Sequence, residues 1–235
     1  MTPGDGRQLA FDLPHRPATG RDDFLVTPSN AKAVALIDLW PNWPSNSLIL
    51  LGPPGSGKSH LAAVWRETTG ATVTSPAEIR ESVVPRLLKM GALVIEDAPG
   101  SGLNEPALFH LLNLAREQKA YVLITAQQAP VSWGLVVPDL LSRLKAAPSA
   151  HLGSPDDALL RGVLVKLFAD RQIAVDEAVV SYLLSRMPRE LAAARSLVAE
   201  IDRRALEERA EVTRNFVARV LGDITSPGLF AEDEG

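Results

Sequence analysis

The fold is decided by residues 48–59, which read Leu48-Ile49-Leu50-Leu51-Gly52-Pro53-Pro54-Gly55-Ser56-Gly57-Lys58-Ser59. The first four form a continuous apolar run, which is typical of a strand buried on both faces of a parallel sheet. The next eight match the phosphate-loop pattern G-x-x-x-x-G-K-[ST] in full. A helical pattern follows over residues 59–68. The stretch therefore predicts a strand–loop–helix unit that binds phosphate.

The chemistry of this loop follows from its residue types. Glycines let successive backbone N–H groups turn toward one point and form an anion nest. Lys58 adds a full positive charge for the β- and γ-phosphates, and the helix that begins near it adds its positive dipole end. Ser59 is a predicted ligand of Mg²⁺. The predicted nucleotide contacts here are Pro54, Gly55, Ser56, Gly57, Lys58, Ser59 and, through its backbone N–H, His60.

Outward from the loop, strand and helix patterns alternate. Apolar runs occur at 71–74, 92–95 and 121–125, and a helical pattern spans 105–118. Strands that alternate with helices predict an α/β fold with a parallel sheet. An earlier helix is predicted over 31–40, where Ser29 and Asn30 can cap its N-terminus.

After about Gly153 only helical patterns remain, at 155–170, 176–186, 188–209 and 213–221. Ser154 precedes a proline there and is a predicted helix start. The predicted division is therefore a flexible leader over 1–22, an α/β domain over 23–153, an all-helical lid domain over 154–224 and an acidic tail over 225–235.

Composition excludes several classes of function. The chain has 235 residues, 46% of them hydrophobic, so it can bury a sizeable core. It contains no cysteine, which excludes disulfides, thiolate zinc sites, iron–sulfur clusters and a cysteine nucleophile. Its net charge of −4 lacks the basic footprint of a protein that coats duplex DNA. No apolar run has membrane-spanning length and no signal peptide is evident, so we expect a cytoplasmic protein.

Two adjacent acids, Glu96 and Asp97, end the apolar run at 92–95. One carboxylate is expected to reach Mg²⁺ and the other to orient an attacking water. Neighbouring side chains on a strand point to opposite sides, so the two cannot play the same part. Thr125, Gln127 and Gln128 are candidates for the polar residue that polarises the water.

Four segments resemble AAA+ proteins of the DnaA branch, and most closely the DnaA-related regulatory inactivators, the Hda-like family. They are Asp23-Phe24-Leu25-Val26-Thr27-Pro28-Ser29-Asn30, Gly57-Lys58-Ser59-His60-Leu61, Pro138-Asp139-Leu140-Leu141-Ser142-Arg143-Leu144 and Pro188-Arg189-Glu190-Leu191. The resemblance covers roughly residues 23–221. It implies an AAA+ domain in which Leu25 and Val26 touch adenine and Gln127 is the polar residue near the γ-phosphate.

The resemblance also assigns roles to two arginines. It implies that Arg143 is an arginine finger, which acts on a nucleotide held by a neighbouring subunit. The alternative for Arg143 is a surface salt bridge with Asp139 at i, i+4. The resemblance implies that Arg189, placed just inside a helix begun by Pro188, reaches the chain's own nucleotide. The alternative is a solvated arginine, and Arg186 or Arg195 could take its place because sequence does not fix the rotation of the lid.

The leader contains Gln8-Leu9-Ala10-Phe11-Asp12-Leu13-Pro14, which resembles the peptide by which replication proteins dock on the DNA polymerase sliding clamp. Leu9, Phe11 and Leu13 would enter a hydrophobic groove, and Gln8 would hydrogen-bond at its rim.

The resemblance implies a negative regulator of replication initiation. Such a protein carries ADP or ATP with Mg²⁺, docks on the sliding clamp and promotes ATP hydrolysis by DnaA. A nucleotide-dependent homodimer is a further possible assembly. DnaA itself continues into a helix-turn-helix domain, and this chain has no basic recognition helix after the lid, so we expect no sequence-specific DNA binding.

Two other functions compete with this reading. One is a self-acting ATPase of the helicase-loader or DNA-remodelling type, which would have a basic channel and respond to single-stranded DNA. The other is a small-molecule kinase, which would need an acceptor site where the chain instead has lid helices. The order of the two acids in AAA+ proteins implies that Glu96 is the metal-side carboxylate and Asp97 is the catalytic acid. This chain departs from the family there, because AAA+ proteins usually place Asp first, whereas Glu96 precedes Asp97 here. We therefore expect weak intrinsic hydrolysis.

Overall fold

The structure is a computed structural model that describes residues 24–225, with side chains through Gly222. The strands in this part of the chain are β1 (Ser47–Leu51), β2 (Thr72–Thr74), β3 (Ala92–Ala98), β4 (Tyr121–Ala126) and β5 (Ser149–His151). They are parallel and form one sheet in the order β2-β3-β4-β1-β5. The α/β prediction with a parallel sheet is confirmed.

Successive side chains of a strand point to opposite faces of the sheet, and both sets are apolar here. Helices therefore cover both faces of the sheet. The helices up to β5 are α1 (Ala31–Asp38), α2 (Lys58–Thr69), α3 (Val84–Leu87), α4 (Glu105–Glu117) and α5 (Pro138–Ala146). Leu48 and Leu50 of β1 pack in one cluster with α1 and α2. Ile49 and Leu51 pack in another with α3, α4 and α5. Short 3₁₀ helices lie at Pro76–Glu78, Glu81–Val83 and Pro130–Ser132.

A helical unit follows the sheet and has a core of its own. It consists of α6 (Asp157–Ala169), α7 (Glu177–Leu184), α8 (Leu191–Glu208) and α9 (Arg214–Thr225). Phe168, Leu183 and Ile201 are fully buried at its centre, and Val217 of α9 joins them. We call these four helices the lid. The domain boundaries themselves stay a prediction.

The carboxyl ends of β1, β3 and β4 meet at one edge of the sheet, because these strands are parallel and adjacent. Leu51 at the end of β1 lies opposite Ala126 at the end of β4. Between β3 and β4 the register slips: Ile95 faces Ile124, but Ala98 faces Ala126, so β3 has one extra residue. This bulge contains Glu96 and Asp97. Bulges re-aim side chains, and the two predicted acids therefore lie where the strand is irregular.

The structure corrects several predicted boundaries. Helix α8 begins at Leu191 rather than at Pro188, so Arg189 lies in the turn before the helix, where the Glu190 N–H donates to the Pro188 carbonyl. Helix α6 is capped by Asp156 rather than started by Ser154, since the Asp156 carboxylate accepts from the Leu159 N–H at 2.7 Å. Asn30 stands at the N-cap of α1, but its side chain bonds to Leu25 and Thr27 instead of capping the helix.

Strand β5 and helix α5 were not predicted. Strand β5 has polar residues at both ends, Ser149 and His151, and is a strand because it pairs with β1. Among the described residues, no helix has the length and apolar character that a membrane span requires.

Candidate functional site

The phosphate loop joins β1 to α2 and is shaped by glycines at three points. Gly57 is the N-cap of α2 with φ +97°, and Gly55 has φ +69°, backbone conformations that favour glycine. At Gly52 the constraint is space, because a Cβ atom there would lie 2.6 Å from the Leu152 carbonyl oxygen. A Cβ atom on Gly55 would lie 2.6 Å from Cγ of Glu190. The loop is therefore packed against both the end of β5 and the start of the lid.

Lys58 folds back over this loop. Its side chain is buried, and its Nζ donates to the carbonyl oxygens of Gly52 and Pro53, both at 2.8 Å. Burial lowers the pKa of Lys58, and the nearby Asp97 carboxylate partly offsets that effect. The ammonium is thus held inside the loop, with its charge only partly compensated. Such a group favours a phosphate anion beside it.

A cavity of about 170 Å³ lies between the loop and the lid. Its lining residues are Phe24, Leu25, Asn30, Ser56, His60, Leu159, Val163, Lys166, Leu167, Asp170, Arg171, Leu191 and Arg195. Most of the surface that lines the cavity is apolar, although about half of the lining residues are polar or charged. A mostly apolar surface with polar groups is the usual character of a small-molecule site. Ser56 lines the cavity, and its hydroxyl is buried close to Gly52 without a hydrogen-bond partner among the described residues.

Leu25 and Val26, the predicted adenine contacts, differ in their position relative to the cavity. Leu25 lines the cavity and packs so closely on α6 that a Cβ atom on Gly162 would lie 2.7 Å from its Cδ1. Val26 is 49% exposed and does not line this cavity. Phe24 also lines it, with its ring edge-on to the His60 ring at 5.2 Å between centroids. The structure thus brings Leu25, Ser56 and His60 together, and it adds Phe24 to them.

The two predicted acids diverge at the bulge of β3. Asp97 has φ +57°, rare for a residue with a side chain, and its N–H donates to the Thr125 hydroxyl at 2.9 Å. Asp97 is exposed and lines a second cavity of about 320 Å³, together with Gln127 and Gln128. Glu96 is half-buried, and its pKa is raised by burial and by Asp97 but lowered by Arg66 of α2.

We expect Glu96→Gln to stabilise the protein in the absence of nucleotide and metal. A carboxyl whose pKa is raised on folding binds more protons in the folded chain than in the unfolded one, so stability falls as pH rises through that window. Glutamine has no ionisable carboxyl group, so the variant does not lose stability through this ionisation. The advantage of the variant should be absent below pH 4.5, the ordinary pKa of glutamate, and should grow toward pH 7.

Thermal melts from pH 4 to pH 8 test this expectation. A gain of about 1 kcal/mol would raise the melting midpoint by roughly 2–4 °C in a chain of this size. Glu117→Gln, an exposed control in α4, should show no such trend. A Glu96→Gln variant whose stability relative to the wild type falls as pH rises would contradict the assigned burial of this carboxylate.

Arg143 lies on α5 and lines neither cavity. It is half-buried, with its guanidinium carbon 5.6 Å from the centre of the Phe109 ring of α4. Its Nε is buried without a hydrogen-bond partner, and within residues 24–222 no salt bridge joins Arg143 to Asp139. The start of α5 is fixed by Glu105, whose carboxylate accepts from the N–H groups of Val136 and Val137.

The lid arginines occupy different places. Arg189 is exposed, pairs with Asp157 at 2.7 Å and does not line the cavity. Arg195 lines the cavity and hydrogen-bonds to Nδ1 of His60. Sequence reasoning named Arg195 only as an alternative to Arg189. It did not find Glu105 or Phe109, because their partners, Val136, Val137 and Arg143, lie in a distant segment of the chain and no local pattern marks them. The predicted clamp contacts, Gln8, Leu9, Phe11 and Leu13, lie outside the described residues.

Curated relatives match part of this chain. A putative insertion sequence ATP-binding protein of Sinorhizobium fredii is 30% identical over 142 residues, which cover 52% of this chain and 47% of that protein. The chromosomal replication initiator protein DnaA 1 of Chlamydia pneumoniae is 24% identical over 189 residues, which cover 69% of this chain and 41% of that protein. The matches thus span less than half the length of these relatives. No protein-family model matches the chain.

Solved structures match the fold more completely. Domain III of the replication initiation protein DnaA from Thermotoga maritima superposes with a TM-score of 0.74 at 19% identity, over 92% of this chain and all of that one. The AMPPCP-bound DnaA from Aquifex aeolicus superposes with a TM-score of 0.64 at 17% identity, over 82% of this chain and 70% of that one. The chain therefore shares the fold of domain III of DnaA, with a phosphate loop, a five-stranded parallel sheet and a helical lid.

Proposed function

We propose that this chain holds an adenine nucleotide between its phosphate loop and its lid, and that it uses Arg143 to promote ATP hydrolysis by DnaA. In this proposal the chain is docked on the DNA polymerase sliding clamp through residues 8–14. It acts as a negative regulator of replication initiation, and more as an activator of a partner ATPase than as an independent enzyme.

The placement of Arg143 carries this proposal. Its guanidinium lines neither cavity of its own chain and has no carboxylate partner among residues 24–222. An arginine that served only as a surface salt bridge would be paired with an acid such as Asp139. A partly buried guanidinium resting on an aromatic ring is instead available to a neighbouring molecule, where it can neutralise charge on a transferring phosphoryl group.

The nucleotide half of the proposal rests on the glycine-shaped loop, the enclosed Lys58 ammonium and the unpartnered Ser56 hydroxyl. The DnaA of Aquifex aeolicus binds AMPPCP on the same fold. Ser59 and Glu96 would hold Mg²⁺, because hydroxyl and carboxylate oxygens are its preferred protein ligands and it takes the remaining ligands from phosphate and water.

We infer that the chain's own ATP hydrolysis is slow. Asp97, the predicted catalytic acid, is shorter than glutamate, stands in a left-handed conformation and lines a different cavity from Ser56 and Leu25. Gln127 lines that second cavity with it. Both residues would have to move toward a nucleotide to act on it, whereas Arg143 needs only a partner that presents one.

A reconstitution tests the proposal directly. Purified chain with ADP, clamp loaded on DNA and ATP-bound DnaA are mixed, and released phosphate is measured. We expect rapid release only when all components are present. A chain that lacks residues 1–14 should bind ADP normally and fail to stimulate release, because the proposed clamp contacts lie in that leader.

The alternative is a self-acting ATPase of the helicase-loader or DNA-remodelling type. An arm of the same experiment omits DnaA and adds single-stranded DNA. Strong ATP turnover by this chain in that arm, with no effect on DnaA, would favour the alternative and contradict the proposal. The net charge of −4 is against it, since a channel for single-stranded DNA needs a positively charged groove.

A further inference from the structure

The start of α5 is held by a carboxylate of α4. The Val136 N–H donates to both carboxylate oxygens of Glu105, at 3.0 and 3.1 Å, and the Val137 N–H donates to one of them at 2.8 Å. The Val136 side chain is 81% exposed, so core packing contributes little at this point. Val137 is the N-cap residue of α5, and valine has no side-chain oxygen that could cap the helix. Glu105 is therefore the side chain that satisfies the N–H groups where α5 begins.

The position of Glu105 is itself fixed by the fold. Glu105 lies in the first turn of α4, which is capped by Asn104, whose side chain accepts from the Ala107 N–H at 2.9 Å. Leu108 and Leu111 hold the inner face of α4 in the core beside the sheet. The positive end of the helix dipole favours a carboxylate at this end of the helix. The hydrogen bonds of Glu105 thus tie the start of α5 to a well-packed element.

Arg143 lies on the helix whose start Glu105 holds. It follows Val137 by six residues, which is about 9 Å along a helix axis. On α4, Phe109 follows Glu105 by four residues and therefore lies on the same face of that helix. The Arg143 guanidinium carbon is 5.6 Å from the centre of the Phe109 ring. A shift at the start of α5 would therefore move the guanidinium relative to this ring.

Two kinds of contact hold α5 in place. Leu140 and Leu144 bury its inner face, and the hydrophobic effect that drives this burial is not directional. Glu105 adds hydrogen bonds to two consecutive N–H groups, and hydrogen bonds are directional. Loss of the Glu105 contacts should therefore displace the helix without unfolding it, because the buried leucines remain.

We propose that Glu105 is a positioning residue for Arg143. It holds α5 so that the guanidinium stays on the Phe109 ring, in place for a nucleotide held by the partner. Glu105 lines neither cavity of its own chain, so it acts through Arg143 and not on this chain's own nucleotide. The inference rests on the proposed function of Arg143.

The test uses Glu105→Gln in the full chain, with ADP, loaded clamp and ATP-bound DnaA. Glutamine has one acceptor oxygen instead of two, and its NH₂ group would face backbone donors, so the start of α5 should shift. A misplacement of 1 Å can cost about 100-fold in rate, and we expect the maximal rate of phosphate release to fall by about 10- to 100-fold. The chain concentration that gives half-maximal stimulation and the affinity for ADP should stay as in the wild type.

Hydrogen exchange supplies a local measurement. The amides of Val136, Val137 and α5 should exchange faster in Glu105→Gln than in the wild type, and those of α2 should not. Glu117→Gln is the matched control, because Glu117 is exposed at the other end of α4 and should change neither exchange nor rate. Circular dichroism and melting midpoints report folding. Glu105→Asp, which withdraws the carboxylate by one methylene, replaces Glu105→Gln if the latter does not fold.

Three results would overturn the inference. The first is a wild-type maximal rate in folded Glu105→Gln. The second is a change only in the half-maximal concentration, which would indicate that Glu105 contacts the partner directly. The third is an equal loss of ADP affinity, which would indicate general damage to the fold. A wild-type chain that does not stimulate phosphate release would contradict the proposed function first and this inference with it, whereas the first result contradicts the inference alone.

Discussion

Arg143→Ala should abolish the stimulation of ATP hydrolysis by DnaA while leaving the chain folded and able to bind ADP. Arginine fingers supply about 10³–10⁵ in rate where they have been measured, so the stimulated rate should fall to the unstimulated one. The loss of stability should be modest, because a cation–π contact such as that between Arg143 and Phe109 is worth about 0.5–2 kcal/mol. Phosphate release from ATP-bound DnaA, in the presence of loaded clamp, is the measurement.

Two variants make this result specific. Lys145→Ala removes an exposed cation from the same helix and should stimulate DnaA normally. Arg143→Lys keeps the charge but loses the planar, forked donor set of the guanidinium, and should restore little activity. If Arg143→Ala still stimulates phosphate release, Arg143 is not the finger, and the observation that carries the proposed function has another explanation.

Local sequence was sufficient for the part of the fold nearest the phosphate loop. The apolar run of β1, the glycines and the helix after them are short-range features, so the strand–loop–helix unit followed from residues 48–68. The α/β class followed from the strand and helix patterns that alternate after it. The position of the two acids at the carboxyl end of the predicted strand followed in the same way, although β3 extends past them to Ala98. These features depend on the hydrophobic pattern and on the conformational freedom of glycine, and both can be identified directly from the sequence.

Long-range contacts decided what the sequence could not predict. Strand β5 is only three residues, Ser149–His151, and it exists because β1 offers it a free edge. Helix α8 starts at Leu191 because the N–H of that residue finds the Gly55 carbonyl, 136 positions earlier in the chain. Neither partner is visible in the local pattern, and the start of α8 in turn decides which lid arginine reaches the cavity.

Long-range contacts also explain why the conformation of the two acids, Glu96 and Asp97, could not be predicted. Alternation along a regular strand predicts that Glu96 and Asp97 point to opposite sides, but it does not predict the bulge or the positive φ of Asp97. The Asp97 N–H is held by Thr125, a fully buried residue of β4. The sequence offered Thr125 as a candidate to polarise water, and the structure shows that its hydroxyl accepts a hydrogen bond from the backbone of β3.

Lys58→Ala should weaken the binding of ADP and ATP by roughly 100-fold or more, the loss expected when hydrogen bonds from a buried charged group are removed. The ammonium is buried, and its pKa is lowered because burial outweighs the effect of Asp97. A phosphate beside the ammonium would offset that desolvation. The substitution should therefore destabilise the nucleotide complex more than it destabilises the free protein. Titration with ADP and ATP measures the loss.

The free protein should change much less, since the lysine both donates to the Gly52 and Pro53 carbonyls and carries a desolvated charge, two contributions of opposite sign. Lys89→Ala, at an exposed position before β3, is the control and should bind both nucleotides normally. The other residues of the loop carry no positive charge that could replace the ammonium. A folded Lys58→Ala protein with wild-type affinity for ADP would therefore show that Lys58 does not bind phosphate.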